Sequence, residues 1–203
     1  GGTLNSMGAT IVPVLVGYLM GDVAKATISD ANPALFLAIG IFVLAFIVLY
    51  SMSIPEPHIV AEKSTEKNTH SPLSFRHFVL GAIAIFVYVG VEVGIPNIAN
   101  LYMTGDLQIN ATTAGTVVGT YWFLMLVGRL TGGVLGSKFS SKSMLSFAAV
   151  LGLVFVLLAI FLPKDQMVSM PVFQSDISFG LAQVPVSIML LVLCGLCTSV
   201  MWG

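Results

Sequence analysis

The amino-acid sequence predicts an all-α integral membrane protein with about six transmembrane helices, the last of them truncated. The first observation is composition: 57% of the 203 residues are hydrophobic and only 8% are charged. A soluble domain carries about 25% charged residues, so this chain cannot cover a surface that faces water. The second observation is that long apolar runs recur along the chain. The net charge is −1, so the chain does not have the excess of basic residues that is typical of a protein that binds nucleic acid.

The apolar runs have the length that a membrane-spanning helix needs, which is about 20 residues. Five runs are complete, and a sixth is cut by the end of the sequence. They cover residues 3–20, 33–52, 77–103, 111–137 and 143–162, with the sixth from near 183 to Gly203. Both ends of the sequence fall inside helical patterns. We therefore expect a fragment of a longer membrane protein.

A polar segment separates the first two predicted helices from the others. From Ser53 to Phe75 the chain carries three prolines and five charged residues, which is typical of a solvated linker. Two-lobed transporters join their halves by such a loop, and the alternative is an ordinary loop in a single six-helix bundle. We predict that 1–54 holds the last two helices of an N-terminal lobe and 55–76 is the linker. The first three and a half to four helices of a C-terminal lobe then occupy 77–203.

The basic residues indicate which side of the membrane holds the linker, because cytoplasmic loops are enriched in Lys and Arg. Five basic residues lie on the linker side and two lie on the opposite side. The five are Lys63, Lys67, Arg76, Lys138 and Lys142, and the two are Lys25 and Lys164. We therefore place the linker in the cytoplasm of a multi-pass protein.

The third predicted helix contains a carboxylate. Glu92 lies about 15 residues into that helix, or about 22 Å along its axis, past the centre of a bilayer and well short of its outer surface. A carboxylate there is costly unless it faces protein or water, so Glu92 is a candidate substrate-binding residue. Gly94 and Pro96 predict a helix break just beyond it, and Asn97 and Asn100 add carboxamides. The alternative is a kinked packing helix in which a neutral Glu92 bonds to a neighbour.

The fourth predicted helix carries a deep arginine and two aromatic residues. Arg129 lies nine residues before Lys138, about 13 Å from the cytoplasmic end, which is too deep for easy snorkelling. We expect Arg129 to pair with an acid or cap a helix, and we assign Arg129 and Lys138 to a cytoplasmic gate. Tyr121 and Trp122 lie near the depth of Glu92 and are candidates for stacking on a sugar, although packing is the commoner role of such residues.

Small residues of the fourth and sixth helices predict close packing. Two sets of glycines are spaced four residues apart, which lets another helix approach closely. They are Gly115 with Gly119, and Gly128 with Gly132 and Gly136. Cys194 and Cys197 lie in an apolar run, where packing is a better explanation than a zinc site. No cofactor or metal site is predicted.

An enzyme is not predicted. An intramembrane hydrolase needs a nucleophile and a base together, yet His58, His70 and His77 all lie in or beside the polar linker. A phosphate-binding glycine loop of the Walker type is absent from the sequence. By spacing alone, Asn5 in the first helix is best explained as a hydrogen bond between helices.

Three segments carry a family resemblance. They are LNSMGATIVPVLVG at 4–17, YVGVEVGIPNIANLYM at 88–103 and GTYWFLMLVGRLTGGVLGSKF at 119–139. With the polar linker between the first and the second, this order resembles the fucose–proton symporter family of the major facilitator superfamily. That family includes fucose permease and the glucose/galactose transporters. The resemblance covers essentially the whole chain and corresponds to about spans five to ten of twelve.

The resemblance implies a major facilitator fold fragment from a proton-coupled transporter of a glucose- or galactose-like hexose. Such a monomeric protein would bind sugar and proton in the inner membrane and work by alternating access. Asn5 matches a family position that faces the central cavity, and Glu92 stands where glucose/galactose-type members commonly have an acid. The family's proton-coupling acids lie in spans one and four, outside this chain. Two alternatives stay open: an exporter of drugs or organic acids, and a non-transporting six-helix membrane subunit.

Overall fold

The computed structural model describes three main stretches of the chain. They are residues 27–53, 71–174 and 178–201, to which positions 7–8, 10–12, 15–16 and 19 are added. Asn5, most of the predicted first helix and most of the linker 55–76 lie outside the described residues.

Five α-helices and one β-hairpin lie in the three main described stretches of the chain. The helices are α1 (Asn32–Ser51), α2 (Arg76–Gly105), α3 (Ala111–Leu135), α4 (Ser141–Phe161) and α5 (Val186–Ser199). Short 3-10 turns at Ile28–Ala31 and Pro72–Ser74 precede α1 and α2. The hairpin pairs β1 (Met167–Phe173) with β2 (Phe179–Pro185) in antiparallel register. Helices α1 to α4 are long and apolar enough to cross a membrane, which confirms the predicted class of an all-α membrane protein.

Proline and short polar side chains start these helices close to the predicted positions. Proline stands in the first turn of α1, where a missing N–H removes no helical hydrogen bond. At the start of α3 the side-chain oxygen of Asn110 accepts a hydrogen bond from the amide of Thr112, at 2.8 Å. Ser140 does the same for the amide of Ser143 at the start of α4. These caps satisfy backbone donors that the first helical turn leaves without partners.

The hairpin is the element that the sequence prediction missed. The sixth helix was predicted to begin near 183, whereas Phe179–Pro185 forms β2 and α5 begins at Val186. Along both strands exposed residues alternate with more buried ones, as expected for a strand with one covered face. Pro185 then begins α5 as its N-cap residue, with an extended backbone.

Helix α5 lies at the centre of the C-terminal helices. It contacts α2, α3 and α4, and both strands of the hairpin pack on it. The core between these elements includes Tyr121 and Met125 of α3 with Ile188 and Val192 of α5. In contrast, α1 has no buried residue among those that the structure describes. The packed unit that positions a candidate site therefore begins at α2.

Candidate functional site

One face of α2 is buried against its neighbours. Its five buried residues recur every three or four positions, which places them on one side of the helix. They are Tyr88, Glu92, Pro96, Ala99 and Met103, and we call this row the buried face of α2. A carboxylate thus lies within a row that otherwise carries no charge.

Arg129 of α3 supplies the opposite charge to Glu92. Its Nη2 lies 3.3 Å from Glu92 Oε1 and also donates to the Tyr88 hydroxyl at 3.4 Å. The side chains of Glu92 and Arg129 are only 12% and 5% exposed, so water screens their attraction weakly. Charges on membrane-spanning helices are costly unless they are paired. The structure therefore pairs Arg129 with an acid, and that acid comes from α2.

Helix α2 continues without interruption from Arg76 to Gly105, through the predicted helix break at Gly94 and Pro96. In an α-helix the amide of residue 96 would donate to the carbonyl of Glu92, and proline has no amide hydrogen. The Tyr121 hydroxyl of α3 donates to that carbonyl instead, at 3.1 Å. A side chain from the neighbouring helix thus satisfies a buried carbonyl that has no partner within its own helix.

The two carboxamides predicted beside Glu92 do not join it. At about 100° per residue, Asn97 lies about 140° around the helix from Glu92. It is exposed, and its Nδ2 donates to the carbonyl of Val93 at 2.8 Å. Asn100 is half-buried. We call the row of Val93, Asn97 and Leu101 the exposed face of α2, and the structure separates it from the ion pair.

The two aromatic candidates also differ from expectation. Tyr121 is 1% exposed, so its ring cannot stack on a sugar in this conformation. Trp122 is half-buried, and its ring meets that of Tyr121 edge-on, with ring centroids 5.4 Å apart. Packing within the helical unit accounts for both rings, as the commoner role of such residues would suggest.

The two residues assigned to a cytoplasmic gate are separated as well. Lys138 lies exposed in the turn after α3, whereas Arg129 is buried about 1.7 turns before the end of that helix. The structure therefore connects Arg129 with Glu92 and Tyr88 rather than with Lys138.

Glycine and serine bring α3 and α5 into close contact. A Cβ added at Gly128 would lie 2.1 Å from Ser199 Oγ, and one added at Gly195 would lie 2.5 Å from the carbonyl oxygen of Tyr121. Gly115 and Gly119, by contrast, have nothing within 4 Å of an added Cβ among the described residues. Gly195 and Ser199 were not predicted, although their four-residue spacing is the same signal that marks α3.

Tyr88, Glu92, Tyr121, Arg129 and Thr198 form a hydrogen-bonded group between α2, α3 and α5, which we call the polar cluster. An apolar groove borders this cluster. It has a volume of about 890 Å³ and lies between α2, α4 and α5, with Tyr88, Val91, Gly152, Cys194 and Thr198 in its wall. Both cysteines are free and buried, in keeping with the packing role predicted for them. Tyr88 and Thr198 line this groove and also belong to the polar cluster. Glu92 and Arg129 are not part of the groove wall.

The fold and the buried ion pair define a class: an all-α membrane protein with a polar cluster between its spanning helices. The chain is similar to a putative glucose/galactose transporter of Helicobacter pylori, at 33% identity over 168 residues. It is also 29% identical over 167 residues to a glucose/galactose transporter of Brucella abortus. Each alignment covers 77% of this chain and 40% of the relative.

The chain thus spans about 40% of the length of the curated relatives it matches. No family model and no solved structure gives a significant match. The relatives are named as transporters and not as enzymes, which agrees with the prediction that this chain is not an enzyme.

Proposed function

We propose that this chain is part of a major facilitator transporter, of the fucose–proton symporter type, that carries a glucose- or galactose-like hexose with a proton. The observation that carries the proposal is the charged pair between α2 and α3, found in a chain that is similar to glucose/galactose transporters. Ionisable residues inside membrane-spanning segments commonly mark substrate or ion pathways.

The division of the chain supports a two-lobed arrangement. Helix α1 has no buried residue, whereas α2 to α5 pack together beyond the polar linker 55–76. In our proposal 1–54 belongs to an N-terminal lobe and 77–203 to a C-terminal lobe. Alternating access arises when the two lobes rock about a site near the midplane of the inner membrane.

In our proposal the candidate residues of α2 have two different roles. Asn97 presents a carboxamide on the exposed face, where a sugar hydroxyl or the other lobe could reach it. Asn100, one turn further along the helix, is half-buried and would offer a second carboxamide. Asn5, from the other lobe, would complete this set as the resemblance implies. We therefore assign sugar contact first to the carboxamides.

Glu92 then acts from within the lobe. Its carboxylate holds Arg129, which in turn donates to Tyr88. A carboxylate engaged in this way keeps α2 and α3 in a fixed register while the lobes move. A sugar contact by Glu92 would require the ion pair to open first. The proton-coupling acids are expected outside this chain, and Lys138 remains our candidate at the cytoplasmic gate.

Transport by the natural full-length protein in proteoliposomes tests the proposal. Labelled glucose or galactose should enter the vesicles, and an imposed sugar gradient should drive proton uptake that a pH-sensitive dye reports. Sugar entry without proton movement would contradict the proposed coupling of sugar transport to a proton. If none of a panel of sugars were carried or competed for binding, the hexose assignment would fail. An exporter of drugs or organic acids, or a non-transporting subunit, would then take its place.

A further inference from the structure

Three helices meet at one hydroxyl group. Tyr121 of α3 is 1% exposed, and its hydroxyl lies 3.1 Å from the backbone carbonyl oxygen of Glu92 in α2. The same hydroxyl lies 3.2 Å from Thr198 Oγ1 in α5. A single phenol therefore forms hydrogen bonds to two neighbouring helices at once.

The carbonyl of Glu92 has a specific need for this donor. Its usual partner in an α-helix is the amide four residues later, and that residue is Pro96, which has no amide hydrogen. A buried carbonyl without a partner is unfavourable because it loses its bond to water and gains nothing in return. The hydroxyl thus stands where the missing amide hydrogen would have acted.

The number of hydroxyl hydrogens limits how these bonds can be arranged. Tyr121 and Thr198 each have one hydrogen to donate. Thr198 Oγ1 also lies within 3.2 Å of the carbonyl oxygens of Cys194 and Gly195. Those two carbonyls precede amides of α5 by four residues and so belong to the regular helical hydrogen bonding. The Glu92 carbonyl lacks such an amide, so we assign the Tyr121 hydrogen to it. The single hydrogen of Thr198 lies within reach of the phenol oxygen and of the Cys194 and Gly195 carbonyls of its own helix.

Backbone contact fixes the phenol in place. A Cβ at Gly195 would lie 2.5 Å from the Tyr121 carbonyl oxygen and 3.2 Å from its ring. The glycine therefore lets α5 approach α3 until Thr198 reaches the phenol. The ring packs with the buried core of the helical unit.

We propose that Tyr121 is a positioning residue whose hydroxyl replaces the amide that Pro96 removes, and thereby fixes the turn of α2 that carries Glu92 against α3 and α5. The significance of that turn for sugar transport rests on the proposed function. We call the contact of the Tyr121 hydroxyl with Glu92 and Thr198 the Tyr121 junction. Its existence does not rest on the proposed function, because it concerns only the packing of α2, α3 and α5.

A double-mutant cycle tests this inference in the natural full-length protein purified in detergent. Tyr121→Phe keeps the ring and removes the hydroxyl, and it should lower the midpoint of thermal unfolding by several degrees. Pro96→Ala restores an amide that can donate to the Glu92 carbonyl. In the Pro96→Ala background, Tyr121→Phe should therefore lower the midpoint clearly less, because only the contact with Thr198 is then lost. This rescue is the decisive readout, because a role in packing alone would give the same loss in both backgrounds.

Tyr102→Phe is the matched control, since Tyr102 lies on the same helix as Pro96 and is half-buried. Its effect should be the same with and without Pro96→Ala. If Tyr121→Phe alone does not fold, recovery of folded protein in the Tyr121→Phe/Pro96→Ala double variant supports the inference, and failure of both variants overturns it. Equal losses in the two backgrounds also overturn it. None of these outcomes depends on sugar transport, so the junction and the proposed function can fail separately.

Discussion

The polar side chains on the two faces of α2 find their hydrogen-bonding partners in different ways. On the buried face, Glu92 is paired with Arg129 across a helix interface. On the exposed face, Asn97 donates to Val93 within its own helix and needs no neighbour. A charge requires a partner from another helix, whereas a carboxamide is satisfied locally and stays available to a ligand. The two residues are therefore expected to respond differently when they are changed.

The largest expected effect comes from breaking the ion pair on the buried face. Arg129→Leu leaves Glu92 buried without its counter-charge, which should lower the free energy of unfolding by about 3–5 kcal/mol. Glu92→Leu should cost a similar amount. The Glu92→Leu/Arg129→Leu double variant should lose less than either single variant, because it leaves no charge unpaired. Chemical or thermal unfolding of the purified protein measures all three, and additive losses would show that the two side chains do not interact.

The next largest effect concerns the close contact of α3 with α5. Gly128→Ala would place a Cβ 2.1 Å from Ser199 Oγ and 2.7 Å from Ser199 Cβ, so the helices must move apart. We expect a loss of about 1–3 kcal/mol in unfolding free energy. Gly119→Ala is the matched control on the same helix, since it meets nothing within 4 Å in the described part of the chain. It should be neutral or slightly stabilising. An equal loss at both positions would contradict the observed packing.

A smaller effect is expected where the hairpin meets α3. The amide of Phe173 donates to Thr120 Oγ1 at 2.9 Å, and the Phe173 ring stacks on Phe123. Thr120→Val removes the acceptor and should cost about 1 kcal/mol. Faster amide hydrogen exchange in β1 would report this loss. Thr112→Val, at an exposed position of the same helix, should leave the exchange unchanged. Unaltered exchange in Thr120→Val would mean that the hairpin docks without this bond.

The smallest effect on stability should come from the exposed face of α2. Asn97→Ala removes a hydrogen bond that lies within one helix at an exposed position. Alanine is also the best helix former, so the unfolding free energy should change by less than about 0.5 kcal/mol. A loss of unfolding free energy as large as that expected for Arg129→Leu would show that Asn97 stabilises the fold. The buried and exposed faces of α2 would then not differ in their contribution to stability.

Much of this structure follows from local patterns. The predicted helices 33–52, 77–103, 111–137 and 143–162 differ from α1 to α4 by a few residues, because apolar runs of spanning length fix them. The β-hairpin escaped prediction because β2 runs directly into the apolar helix α5, so its last residues were predicted as part of that helix. The alternation that marks such strands becomes informative only once a helix covers one side of them.

The side-chain contacts around Glu92 were harder to predict than the helices. Glu92 and Arg129 were both identified from a charge in an apolar run, but their pairing depends on how α2 and α3 are rotated. The five-residue separation of Glu92 and Asn97 already indicates opposite sides of a helix. The helix break at Pro96 was expected because a single sequence does not show that Tyr121, 25 residues further along the chain, can replace the missing amide.

The most direct test of the central claim compares Asn97→Ala with Glu92→Gln in the natural full-length protein, using both KM for labelled hexose and the midpoint of thermal unfolding. Asn97→Ala should raise KM by about 2–10-fold, as loss of one sugar hydrogen bond implies, and leave the midpoint unchanged. Glu92→Gln should lower the midpoint and leave KM unchanged. Asp106→Asn, an acid-to-amide change at the exposed end of α2, should alter neither quantity. A raised KM in Glu92→Gln with a normal KM in Asn97→Ala would contradict the account, because the buried face would then contact the sugar.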